Sequence, residues 1–247
     1  MTTKKKLHEL VDTLHLAGIK AVLAEELARA EKNGCPHSEL LYRLLAAEHA
    51  HRQQRSLLYR LQQAKIPVDW TLESFPFNLQ PTIHKSQIMS LAQLDFIGKA
   101  QNIVLIGNPG TGKTGLAAGL LRKALVAGYR GRFYNAQDLL DELYTSLADR
   151  YSPRLIKKLC RYDLLVIDEL GYLTLNPEQV NAFFKLMEQR YGQKSTIVTT
   201  NLDYDLWYDL FANKPLVDAL LDRLRHHCIT VKIDGPSLRR PEHNGDK

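Results

Sequence analysis

Eight residues, Gly107 to Thr114, carry the spacing Gly-x-x-x-x-Gly-Lys-Thr between the apolar run NIVLIG and the run KTGLAAGLLRKALVAG. This order constrains the chain more than any other feature, because a buried strand must end in a glycine loop that opens directly into a helix. The glycines let backbone N–H groups close around phosphate oxygens, and the helix N-terminus adds the positive end of its dipole. Lys113 then reaches the β- and γ-phosphates, and Thr114 offers its hydroxyl to Mg²⁺. The expected ligands are ATP and Mg²⁺. Their cradle is Gly107, Asn108, Pro109, Gly110, Thr111, Gly112, Lys113, Thr114 and Gly115.

The rest of the chain supplies the framework such a loop needs. GRFYNA, DLLVIDE, STIVTTN and CITVKID read as further strands. AQDLLDELYTSLADR, SPRLIKKLCRY and NPEQVNAFFKLMEQRYG read as helices, the second with Ser152 as its cap and Pro153 in its first turn. The segment DLWYDLFANKPLVDALLDRLRHH reads as helical in pieces. Alternation of this kind predicts an α/β fold, a parallel five-stranded sheet flanked by helices.

Ahead of it the pattern is helical. Leu7, Leu10, Val11 and Leu14, then Ile19, Val22, Leu23 and Leu27, recur at helical spacing, and a longer helix begins near Ser38 and stops at Pro67. The stretch PVDWTLESFPFNLQP reads as an ordered linker whose Trp70, Phe75 and Phe77 either wall an adenine pocket or pin the linker to the core. The expected organisation is a helical domain over 1–66, a linker over 67–81 and the nucleotide-binding core over 82–247.

Composition bounds the rest. At 45% hydrophobic the chain can build a real core, yet no run approaches the roughly 18 apolar residues of a membrane helix. Cys35, Cys160 and Cys228 are too widely spaced for a disulfide framework or a zinc ribbon, and His49 with His51, or His226-His227-Cys228, diverge too far to share a zinc ion. The expectation is a cytoplasmic protein without a membrane partner. A formal charge of +6 favours a polyanion only mildly, so the placement of charge must carry that argument.

Further positions point to hydrolysis. Asp168 ends an apolar strand, where a carboxylate can hold Mg²⁺ through water; the adjacent Glu169 can orient or deprotonate an attacking water. Asn201, at the end of the next strand, can hydrogen-bond both γ-phosphate and water. Arg223 and Arg225, just before the last strand, are candidates for an arginine that stabilises transition-state charge at a neighbour's γ-phosphate.

In that order, and after an all-helical N-terminus, GNPGTGKT, LLVIDELGY, TTN and LLDRLRHH resemble the IstB-like AAA+ ATPases, helper proteins of bacterial insertion-sequence transposons that are similar to DnaC-type helicase loaders. The resemblance covers essentially the whole chain. It implies an AAA+ core with strand 4 inserted between strands 1 and 3, and homo-oligomers, rings or helices, that form on duplex DNA with ATP and serve a transposase. It also implies Walker A roles for Lys113 and Thr114, Walker B roles for Asp168 and Glu169, a sensor role for Asn201 and a finger role for Arg223, with Arg225 in reserve. The sequence leaves no room for a C-terminal helical lid, and Arg239 or Arg240 could substitute for a lid-borne second sensor. The run DRYSPRLIKKLCRY holds Arg150, Arg154, Lys157, Lys158 and Arg161 against one acid, and the resemblance sets it on the DNA-facing side of the assembly. Its alternative is a solvated helix face on which Lys157 and Lys158 diverge. The alternative function is a helicase loader, which would use the same core with a different partner. A small-molecule kinase is disfavoured by Glu169 and Asn201.

Overall fold

The computed structural model describes residues 2–148, 151–171, 173, 175–211 and 213–239, and for 224–226 the backbone alone. The chain divides into two compact units, Met1–Arg60 and Leu61–Lys247.

The first unit is built from α1 (Thr3–Thr13), α2 (Ala17–Asn33) and most of α3 (His37–Ala64). Val11, Ile19, Leu23 and Leu44 are buried together at its centre, with Leu7, Leu16, Val22, Leu27 and Leu40 packed around them. Leu10 and Leu14, which share the predicted stripe with Val11, instead face outward. The N-terminus of α2 has no side-chain cap of its own. Glu48, buried on α3, takes that role: its Oε2 accepts N–H bonds from Gly18 at 2.8 Å and Ile19 at 3.2 Å, while Oε1 accepts from Arg52 at 2.7 Å.

The second unit continues through α4 (Lys85–Leu91), α5 (Asp95–Gly98), β1 (Asn102–Gly107), α6 (Lys113–Val126), β2 (Gly131–Asn135), α7 (Ala136–Ala148), α8 (Ser152–Leu159), β3 (Leu164–Asp168), α9 (Pro177–Arg190), β4 (Ser195–Thr200), α10 (Trp207–Phe211), α11 (Lys214–His226) and β5 (Cys228–Ile233). All strand pairs are parallel, in the order β2-β3-β4-β1-β5, so strand 4 does lie between strands 1 and 3. Alternate side chains of β1 serve opposite faces: Ile103 and Leu105 join the layer containing α4, α5 and α6, whereas Val104 and Ile106 join the layer of α7 to α11. Among the described residues no helix follows β5.

Residues 67–81 belong to the first of those layers. Leu72 and Phe75 are buried with α6, which presents Gly115 and Gly119 one helical turn apart. A Cβ at Gly119 would stand 2.7 Å from Leu72, and one at Gly115 would collide with the Trp70 ring. Small residues on that stripe let the linker lie directly against the helix.

One local expectation changes, and two short helices are added. Ser152 is the first residue of α8 and is buried; Tyr151 occupies the cap position, so the helix starts one residue earlier than the Ser-Pro signal suggests. The short helices α4 and α5 were not legible as periodic runs. Arg154, Lys157 and Lys158 are all exposed, because Leu155, Ile156 and Leu159 form the buried face of α8, and Arg161, just past its end, is exposed too; Lys157 and Lys158, about 100° apart, both fall within the solvent side.

The C-terminal end of α8 is tied down by Arg190, which is 1% exposed. Its guanidinium donates to the carbonyls of Leu159 at 2.9 Å, Tyr162 at 3.0 Å and Ser195 at 2.5 Å, and to Thr196 Oγ1 at 3.1 Å. Burial pulls its pKa down to about 10, which leaves it charged at neutral pH.

Candidate nucleotide-binding site

The glycine loop joins the C-terminal end of β1 to α6, with Gly110 and Gly112 at φ values of 81° and 94° that only glycine adopts without strain. Gly112 stands at the cap position of α6, and no side chain caps its first turn. The Lys113 ammonium folds onto its own loop, donating to the carbonyls of Gly107 at 2.7 Å and Asn108 at 2.9 Å. Burial lowers the lysine's pKa, while the charges of Asp168 and Glu169 oppose that shift.

Asp168, 5% exposed, closes β3 directly across from the loop. Thr114 Oγ1 donates to its two carboxylate oxygens at 3.1 and 3.0 Å, and Thr199 Oγ1 donates to Oδ1 at 2.5 Å. Burial raises the carboxyl's pKa, and the bonds from Thr199 and Thr114 hold it back. A hydroxyl and a carboxylate that converge in this way are hard oxygen donors of the kind Mg²⁺ takes beside phosphate oxygens. Among the described residues no group of three His, Cys, Asp or Glu could hold a metal ion alone.

Glu169 follows with φ 62°, a turn that swings its side chain out of the strand's alternation. Its N–H donates to Thr199 Oγ1 at 2.9 Å, and its Oε2 accepts from Asn135 Nδ2 at 3.0 Å. The Asn135 amide is fixed at its other end as well, since its Oδ1 accepts the N–H of Gln137 at the start of α7, 2.9 Å away. Asn201, just past β4, keeps a buried Oδ1 without a partner among the described residues, and a Cβ at Gly171 would strike that oxygen.

These residues line one cleft of about 790 Å³, which contains Lys113, Thr114, Asp168, Glu169 and Asn201 together. Trp70 also lines it; Phe75 and Phe77 do not, and Phe75 packs beneath the loop against Gly112. Of the three linker aromatics, Trp70 alone is available to a base.

Arg223 stands elsewhere. It bonds Glu188 at 3.2 Å and lines a small recess with Asn102, the first residue of β1, whereas the glycine loop begins at the strand's last residue, Gly107. Five steps along the strand separate Asn102 from Gly107, about 16 Å. The side chain of Arg225, and Arg150 and Arg240 entirely, lie outside the described residues. Arg239 does line the cleft.

A family model described as IstB-like ATP binding protein matches residues 9–245. The chain belongs to this family. Within it, an insertion sequence IS21 ATP-binding protein of Pseudomonas aeruginosa is 37% identical over 228 residues, covering 92% of this chain and 85% of its own length. The corresponding IS5376 ATP-binding protein of Geobacillus stearothermophilus is 32% identical, covering 97% of this chain and 95% of its own. Among solved structures, the DnaC helicase loader superposes with a TM-score of 0.57 at 22% identity, over 69% of this chain and 99% of that one. That likeness shows a shared fold. The family match spans both the glycine loop and most of the helices ahead of it.

Sequence reasoning missed Thr199 and Asn135. One hydroxyl serves both acids of the site, and one amide holds Glu169. The available signal was register: Thr199 stands two residues before Asn201, and Asn135 pairs with Asp168 across β2 and β3.

Proposed function

We propose that this IstB-like protein is a Mg²⁺-dependent ATPase that assembles on duplex DNA as a homo-oligomer and assists the transposase of an insertion sequence. The observation that carries the reading is the convergence of Lys113, Thr114, Asp168, Glu169 and Asn201 on one cleft. Lys113 neutralises phosphate charge, and Thr114 and Asp168 hold the Mg²⁺, which supplies Lewis-acid polarisation when bound. Glu169 orients and deprotonates the attacking water, and Asn201 contacts the γ-phosphate through its amide.

Arg223 stands too far along β1 to serve its own cleft, which supports a role at the neighbour's. For DNA, the exposed Arg154, Lys157 and Lys158 of α8, with Arg161 just past its end, offer phosphate contacts. Arg150 completes that set from sequence. The relatives are named for insertion sequences, which favours a transposase over a replicative helicase as the partner.

The test is phosphate release with ATP, with and without duplex DNA, combined with electron microscopy of the Glu169→Gln variant. Stimulated release and ordered assemblies trapped by Glu169→Gln support the reading. A monomer in the presence of ATP and duplex DNA overturns it.

A further inference from the structure

The segment that follows β5 does not leave the molecule at the sheet edge; it crosses the glycine loop. Leu238 N–H donates to the Gly110 carbonyl at 2.8 Å, a backbone bond between the segment and the phosphate loop. Gly110 touches Ser237 so closely that a Cβ there would collide with its hydroxyl, and the Leu238 side chain lies 3.0 Å from where a Cβ on Gly112 would stand.

Two residues from the other end of this unit latch the segment. Gln80, with no exposed surface, donates from Nε2 to the Pro236 carbonyl at 2.7 Å, and Thr82 Oγ1 accepts the Asp234 N–H at 2.9 Å. The Gln80 Oε1 is buried against Gly235, where no Cβ would fit, and has no partner among the described residues. A buried amide oxygen without a partner costs stability, so Gln80 is held there by what its other half does.

The peptide between Gly110 and Thr111 is planar and trans, so turning the Gly110 carbonyl toward Leu238 turns the Thr111 N–H the opposite way, into the loop. There it donates a long hydrogen bond to the Asn108 carbonyl, 3.4 Å from N to O, which a phosphate oxygen would have to replace or share. It is one of the groups a phosphate would collect. Leu238 and Arg239 both line the cleft, and the Arg239 charge reaches Lys113, where it contributes to that lysine's lowered pKa.

We propose that Asp234–Arg239 is a strap belonging to the nucleotide site: latched by Gln80 and Thr82, it orients the Gly110–Thr111 peptide for phosphate and carries Arg239 to the triphosphate. The inference rests on reading the cleft as an ATP site. Linkage then requires reciprocity, so a strap that tightens ATP binding is itself tightened by ATP to the same degree.

The test titrates a fluorescent ATP analogue with Mg²⁺ into the wild-type chain, a chain stopped after Asp234, Gln80→Leu, Arg239→Ala and Arg239→Lys. Hydrogen exchange at Leu238 is followed with and without ATP. Stopping the chain after Asp234, or Gln80→Leu, raises Kd about tenfold, the loss expected from a hydrogen bond and the order it imposes. Arg239→Ala gives a similar loss that Arg239→Lys partly restores, which a purely structural role for the strap would not do. ATP slows exchange at Leu238 in the wild type. A Kd within twofold of wild type for the stopped chain and for Arg239→Ala, with cooperative unfolding retained, overturns the strap while leaving the ATP site standing. A wild-type chain that binds no ATP overturns both.

Discussion

Replacing Thr199 with valine removes one oxygen and leaves the residue's shape almost unchanged. Thr199 is 0% exposed, and its hydroxyl both donates to Asp168 at 2.5 Å and accepts the Glu169 N–H at 2.9 Å. A bond to a carboxylate contributes about 1.5–3 kcal/mol, and an N–H left without its acceptor costs about 1–3 kcal/mol. Thr199→Val is therefore expected to lose roughly 2.5–6 kcal/mol, a fall in Tm of about 5–24 °C for a chain of this size.

The pH dependence separates this from a packing defect. The Asp168 pKa is raised in the folded state, chiefly by burial, so the carboxyl favours folding most below its unfolded value; that contribution is lost as pH rises through the folded one. The Thr199 bond opposes the rise, and without it the folded pKa climbs further. The difference between wild type and variant should accordingly be smaller at about pH 4.5 than at about pH 7 in urea unfolding curves. The acid limb of ATP hydrolysis should move upward in pH with it. An equal loss at both pH values, or a Tm within about 2 °C of wild type, refutes the reasoning.

Other variants probe separate parts of the molecule. Glu169→Gln should slow phosphate release by about 10²–10⁴-fold with ATP affinity changed only a few-fold, as read by single-turnover kinetics beside nucleotide titration. Exchanging Arg154 and Lys157 for glutamate should weaken duplex binding irrespective of sequence and reduce the slope of log affinity against log salt by about two, measured by fluorescence anisotropy across a salt series. In the first unit, the Glu48 carboxyl is held below its usual range, mainly by the Arg52 bond, so its stabilisation is present above the unfolded pKa and lost as pH falls through the folded one. Glu48→Gln should melt earlier at neutral pH and show a flatter loss on acidification, followed by circular dichroism.

The strands were legible because parallel strands covered on both faces are written as continuous apolar runs, as in NIVLIG and LLVID, and the glycine loop fixed where the first must end. Asp168, Glu169 and Asn201 were legible for the same reason: each stands where such a run stops. What remained hidden depends on register between distant segments. Thr199 is one threonine in STIVTT until β4 lies beside β3, and Gln80 is a linker residue until the segment after β5 lies against it, 156 positions later. Arg190 stands at a helix end in sequence, yet its four acceptors come from two other stretches of chain, 159–162 and 195–196.

Arg223 and the cleft lie toward opposite ends of β1. In the proposed assembly, one copy's arginine would meet the next copy's phosphates, so the two contacting surfaces differ and subunits join head to tail. Such a contact either closes into a ring or continues as an open helix. An open run of n copies holds n − 1 completed sites, because the subunit at one end lacks a neighbour's arginine. Turnover per subunit would then climb with the length of the run and level off, whereas a closed ring would show one fixed value. The dependence of rate on protein concentration would thereby report whether the assembly has ends.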